Sequence, residues 1–288
     1  MKWRVSWFPI VNGLLLTGVA LATLYPFVYM AAVSLSSPEH VIRNEVFLWP
    51  KGWTLDTYRY VLEDERIWTG YKNTIIYTVI GTTLSLICTA MGAYSLSKRN
   101  LVFGKPIMMM IVFTMLFSGG MIPTFLVVRE LGLMNTMWAM IIPGLFSTWN
   151  LIIMRTFFQG IPAELEESGK MDGLTDLGVF VRIVIPLSKS IFATIGLFYA
   201  VGIWNNFYHA LLYLRQESLF PLQVVVRNMV LAGQYLDGNI VAGGDSEMMM
   251  EESLKYATII ISTLPILMSY PFIQKYFVKG VLIGSLKG

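Results

Sequence analysis

Charge is what this chain has least of. Asp, Glu, Lys and Arg make up 14% of its 288 residues, against about 25% in soluble domains, and they gather between apolar runs. That scarcity excludes an ordinary solvated surface and indicates an integral membrane protein. No Asp, Glu, Lys or Arg falls in the middle of a long apolar run. Proton relays, voltage sensors and many ion-coupled carriers keep such residues there despite the cost, so these classes are disfavoured. The one cysteine, Cys88, excludes an intrachain disulfide. The two histidines, His40 and His209, lie far apart, and no His-Glu-x-x-His helix is present to hold a catalytic metal. A Gly-x-x-x-x-Gly-Lys-Ser/Thr phosphate loop and a Gly-x-Ser-x-Gly elbow are also missing. The chain is therefore expected to be no enzyme, to bind no cofactor or metal, to meet no nucleic acid, and to take its energy from a partner.

What is present is hydrophobic: 55% of the residues. Six segments reach or approach the roughly 20 apolar residues that cross a bilayer, at about 10–35, 74–97, 106–128, 137–158, 190–214 and 256–278. The expected fold is all-α, a single polytopic membrane domain of six transmembrane helices over 1–288. The first segment is too long for a cleavable signal peptide and lacks a small-residue cleavage site. The third is interrupted at Ser118-Gly119-Gly120-Met121-Ile122-Pro123, and the sixth contains Pro265 and Pro271. Such breaks survive where a neighbouring helix or a cavity satisfies the freed backbone, or through close packing alone.

Positive charge sets the orientation. With the N-terminus inside, the inner segments hold 12 Lys and Arg against five acids, and the outer ones nine against 13. Lys98-Arg99-Asn100-Leu101-Val102-Phe103-Gly104-Lys105 carries three basic residues and no acid. Both termini and the polar insert at about 160–189 are then cytoplasmic. The outer loop at about 36–73 carries Trp49, Pro50, Trp53, Tyr58 and Tyr60, read as headgroup anchors or contacts for an extracellular partner. In the second outer loop, about 215–255, the run Met248-Met249-Met250 is read as adaptable packing rather than a metal site.

The insert is the most structured polar stretch. Pro162 suits a helix start, and Glu164, Glu166 and Glu167 come next, where acids favour the N-terminal dipole. Gly169 weakens that helix and Gly173 is placed as a left-handed stop. A second helix is expected from Thr175, with Leu177, Phe180, Val181 and Val184 forming its apolar face and Pro186 closing it. A short helix, a glycine turn and an amphipathic helix form a shape that fits a groove on a soluble partner.

The run Glu167-Ser168-Gly169-Lys170-Met171-Asp172-Gly173, then Phe180, Ile183 and Pro186, resembles the EAA loop of ABC-importer permeases, E-A-A-x3-G-x9-I-x-L-P. Glu167, Gly173, Ile183 and Pro186 match in identity and spacing, and Ile185 replaces Leu. Ser168, Gly169 and Leu174 depart from the usual alanines. The resemblance covers essentially the whole chain. Trp204-Asn205-Asn206 and the ending 275–288 are similar to those of the maltose-type, carbohydrate-uptake branch, and the chain looks closest to permeases for complex polysaccharides or oligosaccharides. It implies a heteromeric importer with a second homologous permease, an ABC ATPase dimer carrying ATP and Mg, an extracellular solute-binding protein and a carbohydrate solute. It assigns Glu164, Glu167, Asp172 and Gly173 to the coupling helix that docks on the ATPase. ATP binding would draw two coupling helices together and open the path outward, and hydrolysis would reset it.

Sugars are held by aromatic faces and amide hydrogen bonds. Trp149 and Asn150 in the fourth segment and Trp204, Asn205, Asn206 and Tyr208 in the fifth offer both. They are candidates for the solute path, and equally for helix-joining polar contacts. His209 is read as an interfacial hydrogen bonder. A permease for a non-sugar solute, a self-sufficient secondary carrier and a membrane enzyme remain as alternative readings.

Overall fold

The computed structural model describes residues 7–98, 100–236 and 252–268. Among them every regular element is helical. In chain order these are α1 (Trp7–Ser34), α2 (Pro38–Ile42), α3 (Asp56–Glu63), α4 (Glu65–Ser97), α5 (Gly104–Leu116), α6 (Met121–Glu130), α7 (Trp138–Ile141), α8 (Thr148–Gln159), α9 (Ala163–Met171), α10 (Asp176–Val179), α11 (Ile185–Leu187), α12 (Lys189–Trp204), α13 (Tyr208–Tyr213), α14 (Leu222–Leu236) and α15 (252–268). Single 3₁₀ turns come after α7 and α13, and a π turn at Phe180–Val184 joins α10 to α11.

Among the described residues, α1 and α4 are the helices both long and apolar enough to cross a membrane unbroken. Three further stretches reach that length only as bent pairs: α5 with α6 at 112°, α7 and its 3₁₀ turn with α8 at 54°, and α10 and α11 with α12 at 84°. The third expected span is thus two helices. Gly120 at φ +86° turns the chain where a side chain would strain it, and Pro123 sits in the first turn of α6, where its missing N–H leaves no bond unmade. The expected fifth span is interrupted too, because α12 stops at Trp204 and α13 starts at Tyr208. The sixth coincides with α15 as far as residue 268, and its remainder, with the 275–288 ending, lies outside the described residues. The Met248–Met250 run lies outside them as well.

The two expected outer loops are not irregular throughout. The first contains α2, α3 and the opening turns of α4, and the second contains α14. Span-finding by hydropathy passes over such helices, since they are short or amphipathic.

The chain divides into two compact units, one drawn from residues up to 68 and 225–266, the other from 69–224. In the first, α1 is exposed along nearly its whole length and buries only its last turn, Ala32, Val33 and Ser34. A helix apolar on all sides is built to lie in lipid or among other apolar helices. Ala32 and Val33 pack with Val41 and Val46, and Tyr29 meets Tyr256 edge-on. Residues 35–54 fold back on that turn: Ser37 N–H donates to the Lys51 carbonyl, Thr54 N–H to the Leu35 carbonyl, and Lys51 N–H to Ser36 Oγ. Trp49 and Trp53 stay exposed, whereas Tyr58 hydrogen-bonds Ser34 Oγ at 2.8 Å.

The second unit has its core where α4, α8, α12 and the 160–189 loop meet. Ala93, Leu151, Met154, Val179, Val184 and Ile195 are fully buried there. Small residues set the close approaches: a methyl group at Gly81 would meet Ile203 at 2.8 Å, and one at Gly196 would meet Leu86 at 3.1 Å. Two buried threonine hydroxyls are tied off, Thr89 to Tyr199 at 2.7 Å and Thr74 to the Leu222 N–H at 2.8 Å, as an apolar setting favours.

Candidate functional site

The loop after α8 begins at Gly160 and Pro162, with Pro162 as the N-cap of α9 and Glu164 and Glu166 in its first turn. Its end is set by Gly173 at φ +82°, a left-handed conformation with open space around the α-carbon. Thr175 then caps α10, its hydroxyl accepting from the Gly178 N–H. The four assigned coupling residues, Glu164, Glu167, Asp172 and Gly173, are all exposed.

The opposite side of this loop is anchored. Gly169 is buried, and a methyl group there would meet Ile183 Cδ1 at 2.6 Å and Val179 at 3.3 Å. Its smallness thus serves the packing of α9 against the next arm of the loop. Phe180 packs on Tyr94 with ring centroids 4.8 Å apart, and both rings meet Phe158 edge-on. The buried face of the second arm is Val179, Phe180 and Val184, while Leu177 and Val181 are 66% and 51% exposed. This corrects the expected face of Leu177, Phe180, Val181 and Val184. The π turn at Phe180–Val184 adds a residue to the coil and rotates the residues beyond it, which an even 3.6-residue periodicity does not foresee.

Ion pairs complete the anchoring. Lys98, just past α4, pairs with Glu166, and its ammonium sits 3.9 Å from the centre of the Tyr94 ring. Arg155 Nε donates to the Leu96 carbonyl at 2.8 Å. Lys170 meets Asp176 at 2.8 Å between the two arms. That contact holds the Asp176 carboxyl below the usual carboxylate range and raises the Lys170 ammonium above its ordinary value.

The solute-path candidates separate. Trp149, Asn150 and Asn206 line one cavity of about 500 Å³, with Ser147, Phe198 and Tyr199 among its other walls. Asn150 is buried and Trp149 is 60% exposed. Tyr199 Oη takes part in two bonds, with Thr89 Oγ1 and with the Ser147 N–H, which fixes the wall of the cavity. Trp204, Asn205 and Tyr208 are not among the lining residues. Asn205 Nδ2 donates to the Val201 carbonyl of its own helix, Tyr208 Oη to Met121 Sδ, and the buried Trp204 Nε1 has no hydrogen-bond partner among the described residues. Asn206 and His209 pair by side chain, and Asn206 Oδ1 accepts from the His209 N–H in the first turn of α13, which agrees with a structural part for His209. Sequence reasoning missed Ser147 and Tyr199. A tyrosine midway along an apolar segment was the one available signal.

Residues 81–283 match the family model described as "Binding-protein-dependent transport system inner membrane component". The chain is 44% identical to the Polygalacturonan/rhamnogalacturonan transport system permease protein YtcP of Bacillus subtilis (strain 168), over 97% of each chain. It is 45% identical to Protein LplC of the same organism, over 98% of this chain and 95% of that one. A chain in the crystal structure of a bacterial ABC transporter involved in the import of the acidic polysaccharide alginate superposes with a TM-score of 0.87 at 37% identity, covering 96% of this chain and 99% of the other. With the anchored, acid-faced loop between α8 and α12, these findings lead to one conclusion: the chain belongs to the binding-protein-dependent transport system inner membrane component family, the permease subunits of ABC importers.

Proposed function

We propose that this permease forms half of the translocation path for a carbohydrate, of oligosaccharide size, and couples to a separate ATPase through residues 160–189. The observation that carries the reading is the two-sided construction of α9. Gly169 and Glu166 bind it to its own fold, while Glu164 and Glu167 stand exposed on the side of α9 that also carries the 89% exposed Met171. A mixed acidic and apolar face on a well-anchored helix suits a groove on a soluble partner. Asp172 and Gly173 shape its end. ATP and Mg belong on that partner.

A second homologous permease completes the path, and an extracellular solute-binding protein delivers the sugar. The membrane is the bacterial cytoplasmic one, with both termini and the 160–189 loop on the cytoplasmic side. The relatives named for polygalacturonan, rhamnogalacturonan and alginate support a carbohydrate. So does the cavity, where the Trp149 indole stands with the amides of Asn150 and Asn206, the mix of an apolar face and a few placed polar groups that ligand pockets use.

The test is a detergent pull-down of the tagged chain from native membranes beside the Glu167→Arg, Gly173→Trp double variant. Wild type is expected to bring down a second permease and an ATPase, and the variant to lose the ATPase alone. A wild-type chain that comes down alone, or a variant with unchanged partners, overturns the coupling assignment. Transport by the purified chain alone in liposomes would favour a self-sufficient carrier.

A further inference from the structure

From the ends of α4 and α9 we infer that Lys98 and Glu166 form a positioning pair that makes the coupling helix and α4 move as one body. The inference rests on the coupling reading above and adds the residues that carry the motion inward. Glu166 is turned about 100° around the helix axis from Glu167, away from the free acidic face and onto Lys98. The Lys98 and Glu166 side chains are 27% and 23% exposed, so the pair is neither solvated nor sealed. Pairs in that range add little net stability, and apolar replacements can serve as well. What such a pair adds is direction, since the charged groups meet at one register of α9 against α4.

The surroundings reinforce that register. The Lys98 ammonium lies over Tyr94, and Tyr94 Oη donates to the Asp176 carbonyl at 3.4 Å. Tyr94 also packs on Phe180, in the second arm of the loop, with the rings tilted by 30°. One turn of α4 therefore holds both arms, by charge on α9 and by ring packing on the π turn. Arg155 ties the same turn to α8 through the Leu96 carbonyl. A push on α9 reaches α4 without passing through a flexible joint. Lys98 and Glu166 touch neither ATP nor solute, and they act through the placement of α9.

The experiment is a double-mutant cycle on the complete complex in proteoliposomes: wild type, Lys98→Met, Glu166→Gln and both together. For each, the ATPase captured, the ATP hydrolysed and the solute transported are measured. Each single variant is expected to keep the captured ATPase while solute moved per ATP falls about tenfold, a step smaller than breaking a fully buried pair. The double variant should be no worse than the worse single one, because the two residues act as a unit. Additive losses, or single variants that transport with wild-type stoichiometry, overturn the inference. A single variant that fails to capture ATPase at all, unrescued by the double, also overturns it, since the pair would then serve assembly. Failure of the coupling reading itself is distinct: the wild-type complex would contain no ATPase.

Discussion

Two polar loops of this permease carry charge at similar density and are built in opposite ways. Residues 36–60 are held by bonds within a short reach of chain: Ser36, Ser37, Lys51 and Thr54 return to the last turn of α1, and His40, Glu45 and Lys51 form a surface cluster. Residues 160–189 reach far along the chain for their support, placing Phe180 on Tyr94 and Glu166 on Lys98. The first arrangement makes a cap on the end of α1, whose apolar side, Val41 and Val46, packs with Ala32, Val33, Tyr29 and Tyr256. The second shares a core with α4, α8 and α12, so it cannot shift without moving them. A loop that passes force to transmembrane helices needs the second kind of support, because local hydrogen bonds constrain only their own segment.

The contrast is most exposed to attack at Phe180. Phe180→Ala is expected to destabilise the second unit by about 3 kcal/mol, through lost transfer energy and the cavity left behind, lowering the unfolding temperature in detergent. Hydrogen exchange should rise in the 160–189 loop and in the adjoining ends of α4 and α8 together. A rise confined to the loop would show that the shared core is not what holds it.

Two glycines with positive φ probe the same difference. Gly52, at φ +62°, has no room for a side chain: a methyl group would meet Ser37 Oγ at 2.5 Å. Gly52→Ala should cost about 2 kcal/mol from backbone strain and crowding together, with faster exchange limited to residues 36–60. Gly173, at φ +82°, stands in open space, so Gly173→Ala should cost only about 1 kcal/mol of backbone strain. Gly173→Asn should cost less again, since Asn tolerates this conformation better. Equal effects at the two sites, read as thermal shifts, would mean that Ser37 yields easily.

The smallest effect is on pH. The Glu45 carboxyl is held below its ordinary value of 4.5, first by the hydrogen bond with His40 and then by Lys51. A lowered folded-state value means that its contribution is present above the unfolded value and is lost as pH falls through the folded one. Protection of 36–60 should therefore be steady from neutral pH down to about 4.5 and decline below it, as tracked by hydrogen exchange. Glu45→Gln should remove that decline. The Lys170–Asp176 pair titrates with the same sign on its acid side, but the 160–189 loop should respond less because its ring packing carries no charge.

Much of this was legible in the chain, for identifiable reasons. The Gly173 turn and the Thr175 cap come from local backbone chemistry, and Glu167-x5-Gly173-x9-Ile183-x2-Pro186 carries the family resemblance. The division of the solute-path candidates was not legible. Trp149, Asn150 and Asn206 meet in one cavity while Asn205 bonds back to Val201, because α12 ends at Trp204 and the next residues face different ways. The even repeat puts Leu177 and Val181 on the packed side, whereas Val179, Phe180 and Val184 take it, and the π turn at Phe180–Val184 breaks that repeat partway along the arm.

The chain alone determined that it is a helical membrane protein, since a polar backbone in lipid must satisfy itself and residues this poor in charge have no other home. It also determined which polar insert stands out, because motif spacing is a property of local sequence. Tertiary structure decided which acids of α9 are free and which is spent. Glu164, Glu166 and Glu167 are indistinguishable by composition, yet of the three it is Glu166 that meets a cation 68 residues away. That choice depends on where α4 ends in space, and no local rule encodes it.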